Sequence, residues 1–321
     1  MATSTAAAKT SRVELVAFRH EALLYSGPEE FLAGTVPFLL EGIAAGDSTM
    51  VVLEPAKIAF LQEALGPDAT AVRFANMNEV GSNPARIIPA WREFVIEHAR
   101  SPRPLRGIGE PISPARTGAE LVECQRHEAL LNLAFDGVPA WWLLCPYDRK
   151  TLASKALIEA ERSHPYVMES TSHRVSRRYQ GLDAIAAPFA RPLPDPPKDS
   201  IVVAFTAPEL SAVRLFVAAR ADSFGLDARR SAELALAVNE IATNSLRHAS
   251  GHGELRTWTQ ADSIIFEIRD DGHIDAPMIG HVRPDPAQRS GYGMWIANQL
   301  CDLVQVRSYP EGSAVRLHMR R

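Results

Sequence analysis

The chain has 321 residues, enough for about two domains that each bury a core of their own. Its composition is ordinary for a soluble protein, 46% apolar and 22% charged with a formal net charge of -4, which excludes bulk positive charge as a basis for binding nucleic acid. No apolar run approaches the roughly 18 residues of a membrane span, and three scattered cysteines (Cys124, Cys145, Cys301) without a C-x-x-C pair argue against a disulfide framework and fit a reducing cytoplasm.

The opening MATSTAAAKTSR is polar and has no apolar h-region, so residues 1–11 are expected to be a disordered lead-in and no secretion is expected. Strand-like and helix-like patterns then alternate. VELVAFRH reads as a strand. Residues 29–45 read as a helix with Leu32, Val36, Leu39, Leu40 and Ile43 at helical spacing. Pro37 inside that pattern predicts a kink or a late start. STMVVLEP is a short apolar strand, and AKIAFLQEALG is a helix ending at a glycine cap. AVRFANM, PARIIPAWREFVIEHA, PLRGIGEPI, TGAELVECQRHEALLNLAF, PAWWLLCPYD and TLASKALIEAERSH continue the alternation. About five βα units in a row predict a mostly parallel sheet covered by helices. No G-x-x-x-x-G-K-[ST] phosphate loop occurs, and YSGPEEFLAG at the first strand-to-helix turn has neither a lysine nor paired glycines. Nucleotide hydrolysis is therefore not expected of this front part. Trp141 and Trp142, in an apolar strand, read as core.

APFARPLPDPPKDS, residues 187 to 200, holds five prolines in fourteen positions and predicts an extended, semi-rigid spacer. It sets the expected boundaries: a front domain over 12–186, a linker over 187–199 and a back domain over 200–321. In the back part IVVAFTA reads as a strand, followed by two helical stretches. ELRTWTQ and SIIFEIRDD form an antiparallel pair turning near Ala261, GYGMWIANQLCD opens a helix, and LVQVRSY with SAVRLHMR closes a hairpin around PEGS. Helices grouped on one face of a mixed sheet predict an α/β sandwich.

The chemistry concentrates in ELALAVNEIATNSLRHA. Glu240 and Asn244 lie four residues apart on one helical face. Magnesium takes hard oxygen ligands and shares them with phosphates and water, so the Asn244 side-chain oxygen suits it without adding charge. Glu240 can take a proton from an attacking hydroxyl or orient a water. Taken alone, both residues also read as a solvated helix face. Asp270, at the end of an apolar strand, can accept a hydrogen bond from an adenine amino group. Gly272 after it allows close backbone approach and unusual dihedrals, although a D-D-G turn is an equally ordinary reading. Gly291 and Gly293 precede a helix whose N-terminal amides suit phosphate oxygens. MIGHVRPDPAQRS before them is a candidate lid, and Gly312-Ser313 can bring a small hydroxyl, that of Ser313, near the base. His248 sits inside the site helix, so a packing or helix C-terminal role is favoured over a phosphoacceptor one.

In this order, Glu-x-x-x-Asn, Asp-x-Gly, Gly-x-Gly and Gly-Ser resemble the GHKL ATPase superfamily over about residues 200 to 321, with its Bergerat α/β sandwich. The NEIATNSLRHA wording and short lid look most like the anti-sigma-factor serine kinases. That resemblance implies ATP and Mg2+ as cofactors, Glu240 as general base toward a serine of an anti-anti-sigma protein, and Asn244 as magnesium ligand. It also implies a sigma factor as partner, and family precedent favours a homodimer. The usual Asp-x-Gly-x-Gly box departs here, because Ile274 replaces the second glycine. A non-catalytic partner-binding switch and a histidine-kinase-like ATPase acting on a phosphoacceptor in trans therefore stand beside the serine kinase.

In the front part RHEALLYS at His20 and RHEALLNL at His127 are near-identical. With RGIGEP at Glu110, LLCPYD at Cys145, Tyr147 and Asp148, and His164-Pro165, they resemble the MEDS sensory domain. That family is a RecA-like module without a phosphate loop, and the resemblance, over about residues 12 to 180, implies sensing, with a small ligand among the options. His20, His127, Glu110 and Cys145 would together offer imidazole, carboxylate and thiolate to zinc or iron, provided that four separate elements converge. An organic ligand and plain packing are the other readings. Neither direct nucleic-acid binding nor membrane association is expected, and the location expected is cytoplasmic.

Overall fold

The computed structural model describes residues 17–138, 140–169, 171–185, 191–285 and 291–321. The expected lead-in over 1–11, residues 187–190 of the expected linker and residues 286–290 of the candidate lid lie outside that range.

The front part is a seven-stranded sheet with helices on both faces. In chain order it contains β1 (Arg19–Tyr25), α1 (Pro28–Ala45), β2 (Ser48–Leu53), α2 (Pro55–Leu65), β3 (Val72–Asn76), α3 (Met77–Val80) and α4 (Ile87–Glu97). Then come β4 (Leu105–Gly109), α5 (Gly118–Ala134), β5 (Trp141–Asp148), α6 (Ser154–Ser163), β6 (Tyr166–Glu169) and β7 (Ser172–Val175). The strand order is β3-β2-β4-β5-β1-β6-β7, and every pairing is parallel except β6 with β7. Strands covered on both faces are apolar on both. Ala22 and Leu24 of β1 enter one core with Leu143 and Cys145 of β5, while Leu23 and Tyr25 enter the other with Trp142 and Leu144. Both tryptophans are buried, as expected.

Strand β1 (Arg19–Tyr25) takes in the end of the expected strand VELVAFRH and continues through the first HEALL string, while residues 13–16 lie outside the described range. Glu, Ala and Leu favour helix by only about half a kcal/mol each. A central position between β5 and β6 supplies ladder partners on both sides and buries the segment on both faces, which outweighs that preference. The helix expected over 29–45 is α1, which starts at Pro28 and runs through Pro37 to Ala45, so of the two outcomes expected at Pro37 the late start does not occur. Pro28 occupies the first turn, where its missing N–H costs nothing.

The back part contains β8 (Ile201–Thr206), α7 (Leu210–Phe224), α8 (Ala228–His248), β9 (His252–Gln260), β10 (Ser263–Asp270), α9 (Tyr292–Leu300), β11 (Leu303–Tyr309) and β12 (Gly312–Arg320). Its sheet order is β11-β12-β10-β9-β8 with every pairing antiparallel, where a mixed sheet was expected. Two consecutive helices between β8 and β9 reverse the chain twice, so β9 enters against β8. The Asp227 side chain caps α8 by accepting from Arg230 N at 2.8 Å. Leu234, Ala237, Val238, Ile241 and Ala242 then form the buried stripe that seats α8 on the sheet. The result is the α/β sandwich expected. No helix among the described residues is long and apolar enough to cross a membrane.

The two parts are joined by buried polar contacts. Asn83 Nδ2 donates to the carbonyls of Asn298 and Cys301, both at 3.1 Å, and Arg86 reaches the same two carbonyls from Nε and Nη2, each at 2.9 Å. These acceptors lie at the C-terminal end of α9, where carbonyls have no partner within the helix, and the Arg86 charge opposes the helix dipole there. From α5, Glu123 Oε1 accepts from Arg307 Nη2 at 2.8 Å and Gln305 Nε2 at 3.4 Å, Glu120 pairs with Arg320, and Arg126 Nη2 donates to Pro277 O at 3.3 Å. Met278 packs against the front core.

Candidate functional site

A cavity of about 470 Å³ opens on the helical face of the back sheet. Asn244, Ser245 and His248 of α8 line it with Asp270, Gly272, Ile274 and Ile279 after β10, Gly291 and Met294 at the start of α9, and Ser313 of β12. Asn244, Asp270, Gly272, Gly291 and Ser313, all read from the sequence, therefore share one wall-to-wall space. His248 borders it too, as the last residue of α8.

Asp270 is the best-held group in the cavity. Ser245 Oγ donates to its Oδ2 at 2.5 Å, while Ser313 Oγ and Gly272 N donate to its Oδ1 at 2.8 and 3.0 Å. Three donors fix the plane of the carboxylate and leave its remaining lone pairs toward the cavity, where they can accept a hydrogen bond from an amino group. Ser245 is the functional residue that the sequence reading missed. Its signal was present: a serine inside the apolar stripe Leu234, Ala237, Val238, Ile241, Ala242 is a buried hydroxyl that needs a partner.

The glycines have different physical reasons. Gly272 is not in the left-handed region, contrary to the unusual dihedrals expected of it. A Cβ there would come 3.0 Å from His248 O and 3.2 Å from Ala249 Cβ, so close approach requires the glycine. Gly291 does need its freedom, with φ 96° at the cap of α9. Gly293 packs in the first turn of α9, where a Cβ would sit 2.7 Å from Asn244 Nδ2. That contact brings the Asn244 amide against a helix N-terminus, the place where backbone amides collect phosphate oxygens. Glu240 is half-buried one turn before Asn244 and does not line the cavity. Ile274 does line it, its N–H bonded to Ser308 Oγ at 3.1 Å and its side chain packed on the back core.

The polar groups of the front part divide differently from the expected set. Glu110 accepts from Tyr25 OH at 3.0 Å and from Lys57 Nζ at 2.5 Å. Burial pushes its carboxyl up to about 7, against the pull of Lys57. His127 packs alone with neither ring nitrogen hydrogen-bonded, and burial pushes it down to about 4. Neither joins His20 and Cys145. Glu128 and His164 take their places, and the four ligand atoms of His20, Glu128, Cys145 and His164 lie within 4.8 Å of one another, all buried. A strand presents alternate residues and a helix every third or fourth, so the second HEALL string turns its glutamate where the first turns its histidine.

The cavity thus ends in an oriented carboxylate, beside an asparagine and a helix N-terminus opened by glycines, between helices and an antiparallel sheet. Residues 203–319 match the family model described as Histidine kinase-like ATPase domain, and residues 19–165 match the MEDS model, described as MEthanogen/methylotroph, DcmR Sensory domain. The chain thus joins a MEDS-type segment to a GHKL-type ATPase segment, a class whose members bind ATP. No curated protein matches it. Among solved structures it is similar to the RsbU and RsbW domains of Rv1364c from Mycobacterium tuberculosis, at 15% identity and a TM-score of 0.28 over 37% of this chain. The match spans 32% of that chain, about a third of its length.

Proposed function

We propose that the MEDS domain controls the back domain, which binds Mg-ATP, holds a sigma factor as an anti-sigma factor and phosphorylates a serine of an anti-anti-sigma protein. The carrying observation is the Asp270 carboxylate, held by Ser245, Ser313 and Gly272 at the cavity wall, with Asn244 packed on the N-terminal turn of α9. In this reading Asp270 accepts from the adenine amino group and Asn244 binds magnesium. Gly291 and Gly293 admit the phosphates to the helix amides, and Glu240 accepts the proton of the attacking serine. Catalysis then rests on positioning and charge stabilisation, with one base sufficient.

Control by the front domain is supported by α9 itself. Its first turn borders the cavity, and its last carbonyls are held by Asn83 and Arg86. The chain just before the candidate lid is held as well, through Arg126 to Pro277. A shift of either contact changes the phosphate end of the pocket.

A second reading, a partner-binding switch without phosphate transfer, is favoured by two observations. Ile274 lines the cavity where a glycine is usual and Glu240 stands outside its lining. Calorimetry with Mg-ATP, on wild type and Asn244→Ala, tests the first reading. Micromolar binding weakened about tenfold or more by the substitution is the expected result, followed by acid-stable phosphate on a serine of the partner that Glu240→Ala abolishes. A folded wild type that binds no ATP sinks the kinase. Retention of partner affinity with no transfer leaves the switch.

A further inference from the structure

We propose that His20, Glu128, Cys145 and His164 form a closed binding site for one divalent transition-metal ion of the zinc class. The four come from separate elements, β1, α5, β5 and the end of α6, and each is at most 1% exposed. His164 Nε2 and His20 Nε2 lie 3.1 and 3.3 Å from Glu128 Oε2, and Cys145 Sγ lies 3.4 Å from His20 Nε2. Tetrahedral bonds of about 2.0–2.3 Å place neighbouring ligand atoms about 3.5 Å apart, so the cluster already has the spacing of a coordination shell.

The tautomers point inward. His20 Nδ1 faces Asn132 Oδ1 at 3.2 Å, and the amide orientation is fixed because Asn132 Nδ2 donates to Ser163 O at 2.7 Å and Ala129 O at 3.3 Å. A side-chain carbonyl only accepts, so Nδ1 of His20 carries the proton and Nε2 presents a lone pair. His164 Nδ1 lies 2.8 Å from Ala160 O, with the same consequence. Ligating histidines are held in this way by a second acceptor.

Those two lone pairs face a carboxylate, and among the described residues neither oxygen of Glu128 nor His164 Nε2 makes a well-formed hydrogen bond. A buried carboxylate set against imidazole lone pairs is costly in a core, and a cation at the centre resolves it. A proton shared by the imidazoles is the competing answer, and uptake of zinc or cobalt by the folded chain separates the two. Binding displaces the Cys145 thiol proton to solvent as the metal–sulfur bond forms. One thiolate and one carboxylate then balance the ion's two charges, a neutral set suited to a sealed interior. Thiolate, imidazole and carboxylate together suit zinc or ferrous iron rather than magnesium or calcium. Phe18 stacked on His20 and Tyr147 edge-on to His164 exclude water.

The ligand Glu128 lies on α5, the helix whose Glu120, Glu123 and Arg126 contact the back domain and Pro277. Occupancy therefore bears on the back domain's sheet and on the chain at Pro277, a consequence for nucleotide binding that rests on the ATP reading above; the metal site itself does not.

The test uses the full chain. Zinc content is measured after dialysis, affinity by competition with a chromophoric chelator, and cobalt(II) serves as spectroscopic probe. Expected are one ion per chain and a cobalt spectrum with tetrahedral intensity and a thiolate charge-transfer band. Cys145→Ser abolishes that band, Cys124→Ser retains it, and Glu128→Gln weakens zinc roughly 100-fold, at or beyond the range seen for lesser, outer-shell losses. A folded wild type that takes up no zinc or cobalt overturns the site. So does a charge-transfer band that survives Cys145→Ser, or a Glu128→Gln protein that binds zinc as wild type does. Mg-ATP affinity with and without zinc is measured last. If zinc binds and ATP binds but neither affects the other, only the coupling fails; if ATP does not bind, the nucleotide reading fails and the metal site stands.

Discussion

Two carboxylates in this molecule occupy opposite circumstances. Asp270 borders an open cavity and receives three hydrogen bonds, from Ser245, Ser313 and Gly272. Glu128 is sealed in the front core among two imidazoles and a thiol and receives no well-formed hydrogen bond from the described residues. A satisfied, oriented carboxylate facing an open space can read a neutral donor and release it again. An unsatisfied, enclosed one calls for a cation and holds it. Under the two proposals the same side-chain chemistry would serve exchangeable recognition in one domain and enclosed binding in the other, and the donors around it decide which.

The largest effect that would break this contrast comes from Asp270→Asn. It keeps the size but removes the charge and offers an N–H to the adenine amino group. Mg-ATP affinity is expected to fall about 10- to 100-fold, the loss of one hydrogen bond to a charged group, with the fold retained by circular dichroism. Unchanged affinity in calorimetry would place the base elsewhere. Next is Arg86→Ala, which leaves the α9 carbonyls of Asn298 and Cys301 with only Asn83. Stability is expected to drop by about 2 kcal/mol, read as a lower midpoint in thermal unfolding. No shift would mean that the contact between the domains carries little.

Gly293→Ala sharpens the comparison at the phosphate end. Its Cβ meets Asn244 Nδ2, a group that can give way by rotating, so about a tenfold loss of Mg-ATP affinity is expected with little change in stability. Equal binding of ATP with and without magnesium in the variant would show that Asn244 has left the ion. The smallest effect concerns pH. Burial, then Arg316, pushes His318 down to about 4 from the ordinary 6.5, with Arg320 acting the same way and Glu120 against it. The fold holds this imidazole neutral where the unfolded chain would take a proton. Its contribution to stability is therefore present above pH 6.5 and lost as pH falls toward 4. His318→Gln is expected to flatten the stability profile in that window by up to about one proton in chemical denaturation. An unaltered slope would remove His318 from the account.

The alternation of elements and the order Asn244, Asp270, Gly272, Gly291, Ser313 of the residues that share the cavity were legible because they depend on local periods and on spacing along the chain. Ser245 was visible only as a polar interruption in an apolar stripe, and its role appeared once β10 placed Asp270 across from it. The direction of β9 against β8 also lay beyond local pattern, since it depends on how two helices turn the chain back.

The HEALL strings mark the limit most clearly. The same five residues form a strand at His20–Leu24 and a helix at His127–Leu131. Their intrinsic preference differs by a fraction of a kcal/mol per residue, whereas a place between two strands or against a sheet face buries whole side chains at about 1.5–3 kcal/mol each. The sequence by itself determined which residue types were available and the order of the two domains. Only the tertiary structure decided which face each residue took, because period 2 in β1 and period 3.6 in α5 turn His20 and Glu128 to the same point and leave Glu21 and His127 elsewhere.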